Sequence, residues 1–214
     1  MHLRTSRVFI ESAARDFKRT GAVIPSSRTL ANAMTRELAW HWKSPVRVLE
    51  VGAGTGRITE EIVRHVSRSD HVDIYEIEPK LANLIRLRIR EDKAFRHVDA
   101  GLRVHNKPIE KIERRPRYDF VISCLPFTNF HPNSVREIFE IFRGILKPGG
   151  TCSFYEYIFV RKAARIMSGK PAERERMEKV GQTVHEYINR YEYSHEVVLR
   201  NLPPAMVHHI RFTD

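Results

Sequence analysis

The chain has 214 residues, with 37 Lys and Arg against 26 Asp and Glu, a net charge of +11 and 42% hydrophobic residues. That is ordinary globular material, enough for a single domain over residues 1–214 that buries most of its apolar surface. No apolar run approaches the roughly 18 residues a membrane-spanning helix needs, Met1–Thr20 is too charged for a secretory signal, and Cys124 and Cys152 offer neither a disulfide framework nor metal-ligand spacing. These features fit a reducing cytoplasm. The positive charge draws the protein to a polyanion, nucleic acid or an anionic membrane surface, and charge alone does not choose between them.

In chain order, the first expected element is a helix over about Thr5–Arg19. At 100° per residue it places Phe9, Ile10, Ala13, Ala14 and Phe17 on one face and Arg4, Arg7, Glu11, Arg15 and Lys18 on the other. Gly21–Ser27 then reads as a loop whose serine caps a helix over Arg28–Trp42. After Ser44-Pro45, strands and helices alternate. Val46–Val51 is a strand, followed by a glycine loop and a helix over Ile58–Val66. Val72–Ile77 is a strand, and Pro79 opens a helix to Arg90. Leu102–His105 is a weaker strand, Tyr118–Cys124 a strong one and Asn133–Leu146 a helix. Lys147-Pro148-Gly149-Gly150 makes a turn into the strand Thr151–Ile158. The stretch 161–190 reads as a basic helical insertion with Glu173, Glu175 and Glu178 interleaved, and the chain closes with a hairpin of Tyr191–Arg200 and Ala205–Phe212. Such alternation predicts an α/β, Rossmann-like fold whose sheet is mostly parallel with an antiparallel hairpin at its edge.

The chemistry concentrates at Val48-Leu49-Glu50-Val51-Gly52-Ala53-Gly54-Thr55-Gly56, where a buried strand turns into a helix. Glycines let the backbone turn tightly and approach a ligand. Dinucleotide enzymes use similar loops, but here the spacing is Gly-x-Gly-x-Gly and Glu50 precedes it. A carboxylate at that point suits the cationic aminoacyl end of S-adenosylmethionine and repels a pyrophosphate. The next strand ends in Tyr75-Glu76-Ile77-Glu78-Pro79, and a carboxylate at a second-strand end can accept from both hydroxyls of a ribose.

With those residues in order, residues 46–158 resemble the core of the class I S-adenosylmethionine-dependent methyltransferases, whose sheet has seven strands. The resemblance implies that Glu50, Gly52, Gly54 and Gly56 line the methionine part of the donor, that Glu76 and Ile77 hold its ribose, and that Pro108 and Ile109, in Asn106-Lys107-Pro108-Ile109, face its adenine. The family often has Asp where Pro108 stands, which leaves the backbone N–H of Ile109 for that contact. S-adenosylhomocysteine would be the product.

Three features bear on the acceptor. Ser123-Cys124-Leu125-Pro126-Phe127 closes the fourth strand, and relatives that methylate adenine carry Asn where Cys124 stands; a thiol is a poor acceptor for an exocyclic amine. Gly21-Ala22-Val23-Ile24-Pro25-Ser26-Ser27-Arg28, the Ser-x-Leu-Pro-Phe-x-Asn-Phe segment at Ser123–Phe130, and Phe154-Tyr155-Glu156-Tyr157 together resemble the bacterial phospholipid N-methyltransferases, which convert phosphatidylethanolamine stepwise to phosphatidylcholine. That resemblance implies further donor contacts at Ser26, Ser123 and Leu125, and substrate contacts at Arg28, Pro126, Phe127 and Asn129. The basic amphipathic helix over residues 1–20 has the composition of an interfacial membrane helix or lid.

The expected partners are therefore a phospholipid substrate and an anionic membrane surface, with no nucleic acid, at the inner face of the cytoplasmic membrane. Candidates for the base are Tyr155, Glu156, Tyr157 and His131, and for the lipid phosphate Arg28, Lys107 and Arg161. On a strand, Tyr155 and Tyr157 share one face, and Phe154 and Glu156 the other. Two rivals remain: an rRNA adenine N6-dimethyltransferase, and a non-enzymatic membrane- or nucleic-acid-binding protein on the same scaffold.

Overall fold

A computed structural model describes residues 27–41, 45–98, 101–158 and 171–213. The amphipathic stretch 1–20, Ser26, Trp42 and Arg161 lie outside these residues. Seven strands form one sheet in the order β3-β2-β1-β4-β5-β7-β6. They are β1 (Arg47–Val51), β2 (His71–Tyr75), β3 (Leu102–His105), β4 (Tyr118–Ser123), β5 (Leu146–Tyr157), β6 (Glu192–Val198) and β7 (Ala205–Ile210). The first five run parallel, while β7 lies antiparallel between β5 and the outermost strand β6. The expected hairpin is thus present at the edge.

The helices divide between the two faces of this sheet. On one side α1 (Arg28–Ala39), α2 (Arg57–Ile62) and α3 (Pro79–Glu91) cover Val48, Ile74 and Ile122 with Leu30, Met34, Leu38, Ile58, Ile62 and Ile85. On the other, α4 (Pro132–Ile145) and α5 (Pro171–Tyr191) cover Leu49, Val121 and Phe154 with Val135, Phe139, Phe142, Val184 and Tyr187. Alternate residues of each central strand serve opposite cores, which is why β1 is buried from Val48 onward and reads as a continuous apolar run.

Local chemistry sets the helix boundaries. The Ser27 hydroxyl accepts from the Leu30 N–H at 3.1 Å, as a capping serine does, and the Ser27 N–H donates to Asn201 Oδ1 at 3.0 Å, tying the start of α1 to the β6–β7 connection. Pro79 and Pro132 each open their helix, where the missing N–H has no partner to lose.

Two sequence-based boundaries need correction. α2 ends at Ile62, short of Val66, because the next N–H groups tighten: Arg64 donates to the Glu61 carbonyl and His65 to that of Ile62. The expected Lys147–Gly150 turn is absorbed into β5, which already pairs through Leu146 with Tyr118 before resuming at Thr151 opposite Phe120. The intervening tetrapeptide loops outward at that register shift, helped by the left-handed φ of +76° at Gly149 and by the Lys147 Nζ ion pair to Asp119 at 2.8 Å.

Candidate active site

The carboxyl ends of β1, β2, β4 and β5 open on a cavity of about 500 Å³, within the range of about 300–1,000 Å³ that holds a small molecule. Ligands of parallel α/β sheets bind at this end. Its floor is the glycine loop. The Gly52 N–H donates to the Tyr75 carbonyl at 2.8 Å, which carries the β1–β2 ladder one residue past β1. Gly52, Gly54 and Gly56 then take φ of +76°, +57° and +79°, a region closed to most side chains. A Cβ on Gly52 would stand 3.1 Å from Leu125 Cδ2, whereas one on Gly54 meets no atom within 4 Å. Gly54 therefore presents bare backbone to the cavity.

Glu76 closes this end. One carboxylate oxygen accepts from the Gly54 N–H at 2.8 Å and the other from the Glu78 N–H at 2.9 Å. Two such bonds fix the carboxylate and leave lone pairs for a ligand. Asn106 holds the same turn from behind, donating to the carbonyls of Glu76 and Ile77 at 2.9 and 3.0 Å. Further round, Tyr75, Ile77, Lys107, Pro108 and Ile109 form one wall, and Cys124, Leu125, Pro126, Asn129, Phe130 and Tyr155 the opposite one.

This arrangement fits a sulfonium nucleoside. A buried acceptor stands where ribose hydroxyls would lie, an open backbone cradle lies beside it, and apolar walls flank both. A family model described as "Methyltransferase domain" matches residues 48–150, the segment that builds the cradle. The chain belongs to the class I S-adenosylmethionine-dependent methyltransferases. Its cofactor is S-adenosylmethionine. The chain is 32% identical over 132 residues to an ornithine lipid N-methyltransferase of Singulisphaera acidiphila, a match covering 61% of this chain and 66% of that protein. Among solved structures, the O-methyltransferase TomG of Streptomyces achromogenes in complex with S-adenosylmethionine superposes with a TM-score of 0.63 at 13% identity, over 96% of this chain and 90% of that one. An O-methyltransferase of Bacillus cereus in complex with S-adenosylhomocysteine gives 0.61 at 14%, over 96% and 91%.

The expected site residues of this methyltransferase separate into groups. Gly52, Gly54, Glu76, Ile77, Pro108, Ile109, Leu125, Pro126, Asn129 and Tyr155 all line the cavity. Glu50 does not. It is fully buried behind the loop, where its Oε2 accepts from the Thr59 hydroxyl at 2.7 Å and its Oε1 has no partner among the described residues. Burial pushes its carboxyl up to about 8, against the opposing Thr59 hydrogen bond and with the nearby Glu76 charge adding to the rise.

Gly56 also lies off the cavity, turning the chain into α2 with its Cα facing the Arg88 guanidinium. The Ser123 hydroxyl is buried without a partner among the described residues. Arg28 is exposed in the first turn of α1 and lines neither this cavity nor a smaller one beside it. Phe127 turns into the α4 core, its ring 5.1 Å from Phe139 and 5.8 Å from Phe154; its aromatic bulk is worth more buried there than exposed to ligand. His131 caps α4 through the Asn133 N–H.

The structure also decides the β5 faces. Tyr155 and Tyr157 pack 5.2 Å apart on the α1 side, and Phe154 enters the α4–α5 core. The smaller cavity, about 50 Å³, is lined by Glu156, Tyr157, Phe127 and Thr128 and shares Leu125, Pro126 and Tyr155 with the main one.

Other residues of the lining lie outside the expected contacts. Arg57 follows the last glycine and lines the cavity, its guanidinium 3.6 Å from the Glu60 carboxylate. Tyr75 lines the same wall as Pro108 and Ile109, its ring stacked on His105 at 4.7 Å. Cys124 lines the cavity with its thiol pushed well up by burial and then by the Glu50 and Glu76 charges, so it stays neutral and unreactive.

Proposed function

We propose that this protein transfers methyl groups from S-adenosylmethionine to the amine of phosphatidylethanolamine and its methylated intermediates, at the inner surface of the cytoplasmic membrane. The observation that carries the reading is the composition of the acceptor wall. Leu125, Pro126, Phe130 and Tyr155 offer apolar and aromatic surface, and Cys124 holds the strand-end position where adenine-methylating relatives carry an amide acceptor; the wall's own amide, Asn129, stands five residues further along the loop. Such a wall suits a small headgroup attached to hydrocarbon, and the tyrosine face can hold the methylated ammonium intermediates by cation–π contact. The relative named an ornithine lipid N-methyltransferase also acts on an amine-bearing lipid by its name, and it favours ornithine lipid as the second acceptor to test. The net charge of +11 supports attraction to anionic headgroups. Among the described residues no helix is long and apolar enough to cross a membrane, so contact with the bilayer would be peripheral.

The donor supplies an electrophilic methyl group on a positively charged sulfur. The chain's part is to bind and orient. Glu76 and the glycine-loop backbone would hold the nucleoside and its aminoacyl end, with Arg57 near the carboxylate. The wall from Cys124 to Phe130 would set the amine in line with the methyl group, and alignment of this kind supplies much of the acceleration in a displacement. The amine must be neutral to attack. Its reference pKa is near 10.4, and burial beside a sulfonium lowers it.

Labelled methyl donor incubated separately with phosphatidylethanolamine vesicles, ornithine lipid vesicles and ribosomal RNA tests the reading. Label in phosphatidylethanolamine is expected. Label confined to ornithine lipid moves the acceptor, and label in RNA overturns the lipid reading.

A further inference from the structure

Behind Glu156 lies a group of titratable side chains that the donor site does not use. His208 on β7 is buried, and its ring stacks on Phe154 at 5.2 Å. Its Nδ1 stands 2.6 Å from Glu192 Oε1 on β6. A carboxylate only accepts, so Nδ1 carries a proton, and in the neutral imidazole Nε2 then has the lone pair. That Nε2 faces Glu156 Oε2 at 3.8 Å, a gap closed by a small side-chain rotation or one water. The other oxygen of Glu192 pairs with His195 Nδ1 at 3.3 Å at the protein surface. Glu156 itself lines the smaller cavity next to the acceptor wall. A carboxylate beside the acceptor wall, a buried imidazole and a carboxylate that orients it thus stand in a row.

We propose that His208, oriented by Glu192, is the positioning residue that lets Glu156 take the proton displaced from the acceptor amine. The inference rests on the lipid N-methylation reading. In the step, the amine lone pair forms the new N–C bond, the C–S bond breaks and its electron pair stays on sulfur as a neutral thioether. The nitrogen, now bearing four bonds, loses a proton to Glu156. Glu156 passes that proton to His208 Nε2, while Nδ1–H stays on Glu192. The proton leaves by the same route when the cavity opens to water. Each methylation that starts from an N–H amine repeats the cycle, so a base that recovers between turnovers is needed for stepwise methylation.

The test uses the full chain, labelled donor and phosphatidylethanolamine vesicles, with His208→Gln and Glu192→Gln variants. Expected for His208→Gln is a kcat at least about tenfold lower, KM values for donor and lipid unchanged, a solvent deuterium isotope effect larger than that of the wild type and partial rescue by added imidazole. Glu192→Gln keeps the shape of the pair and removes the charge, and it is expected to show the same pattern more weakly, which keeps the test decisive should His208→Gln fail to fold. Wild-type labelling of lipid with unchanged kcat in both variants, or a lower kcat without isotope effect or rescue, overturns the role of His208 alone. No label in any amine lipid with the wild type overturns the lipid reading and this inference with it.

Discussion

The two ends of the cavity are built on different principles. At the donor end the contacts are made by backbone and by the two oxygens of Glu76, which hold Gly54 and Glu78 in place. At the acceptor end the walls are side chains, Leu125, Pro126, Phe130 and Tyr155, held by packing. Behind the lining, Glu50 Oε1 and Ser123 Oγ are buried without a partner among the described residues. A backbone-built site tolerates few residue types, whereas a side-chain-built one can be repacked for a new acceptor on the same fold.

Substitutions at the two ends should therefore differ in kind. The largest effect is expected for Gly54→Val, which places a branched Cβ in the cradle at a φ of +57° that β-branched residues avoid. Donor binding measured by calorimetry should fall by more than about 100-fold, or about 2.7 kcal/mol. A mere twofold loss would mean that the donor lies elsewhere. Next is Glu76→Ala, which leaves two backbone N–H groups without their acceptor as well as removing the carboxylate proposed to hold the ribose. Donor affinity about 10- to 100-fold weaker is expected, in keeping with lost charge-assisted hydrogen bonds of about 1.5–3 kcal/mol.

Glu50→Gln should separate stability from binding. The folded protein holds this carboxyl protonated up to about 8, against an ordinary value of 4.5. Between those values the unfolded chain gives up the proton and the folded one keeps it, so stability contributed by this group is full below 4.5 and is lost as pH rises through 8. Glutamine does not titrate. The variant should therefore match the wild type in melting temperature near pH 4.5 and exceed it by several degrees at pH 8.5, while donor affinity at pH 7 stays unchanged, since one neutral group behind the loop replaces another. Equal melting curves at pH 8.5 would show that Glu50 is not held neutral. The smallest effect is expected at the acceptor end. Cys124→Ser should change kcat by less than about threefold, since a neutral thiol supplies shape there and little else. A tenfold loss would give the sulfur a chemical part.

The same contrast explains what could be read before the fold was known. Three glycines at alternate positions, an acidic residue before them and another at the end of the next strand are demanded by backbone geometry, and each is visible in the chain. The strand–helix alternation was legible for the same reason, since central strands that serve two cores become apolar runs. Phe127 was not legible, because nothing local says whether an aromatic after Leu-Pro faces ligand or the α4 core; the rings of Phe139 and Phe154 decide it. Nor could alternation choose the face for Tyr155 and Tyr157, since every residue from Phe154 to Tyr157 has bulk to bury. His208 is 52 residues from Glu156 in the chain, and only the antiparallel register that sets Phe154 opposite His208 brings them together.

That register also dictates an order of assembly. β7 follows β6 in the chain, yet it lies inside β6. Until Ala205–Ile210 docks, the outer edge of β5 offers an unpaired row of N–H and C=O groups, and β6, which reaches the sheet only through β7, has no strand to join. A folding chain in which β7 has not yet docked carries an open edge ready to pair with another molecule, so the docking of this one strand bears on whether the protein folds or aggregates.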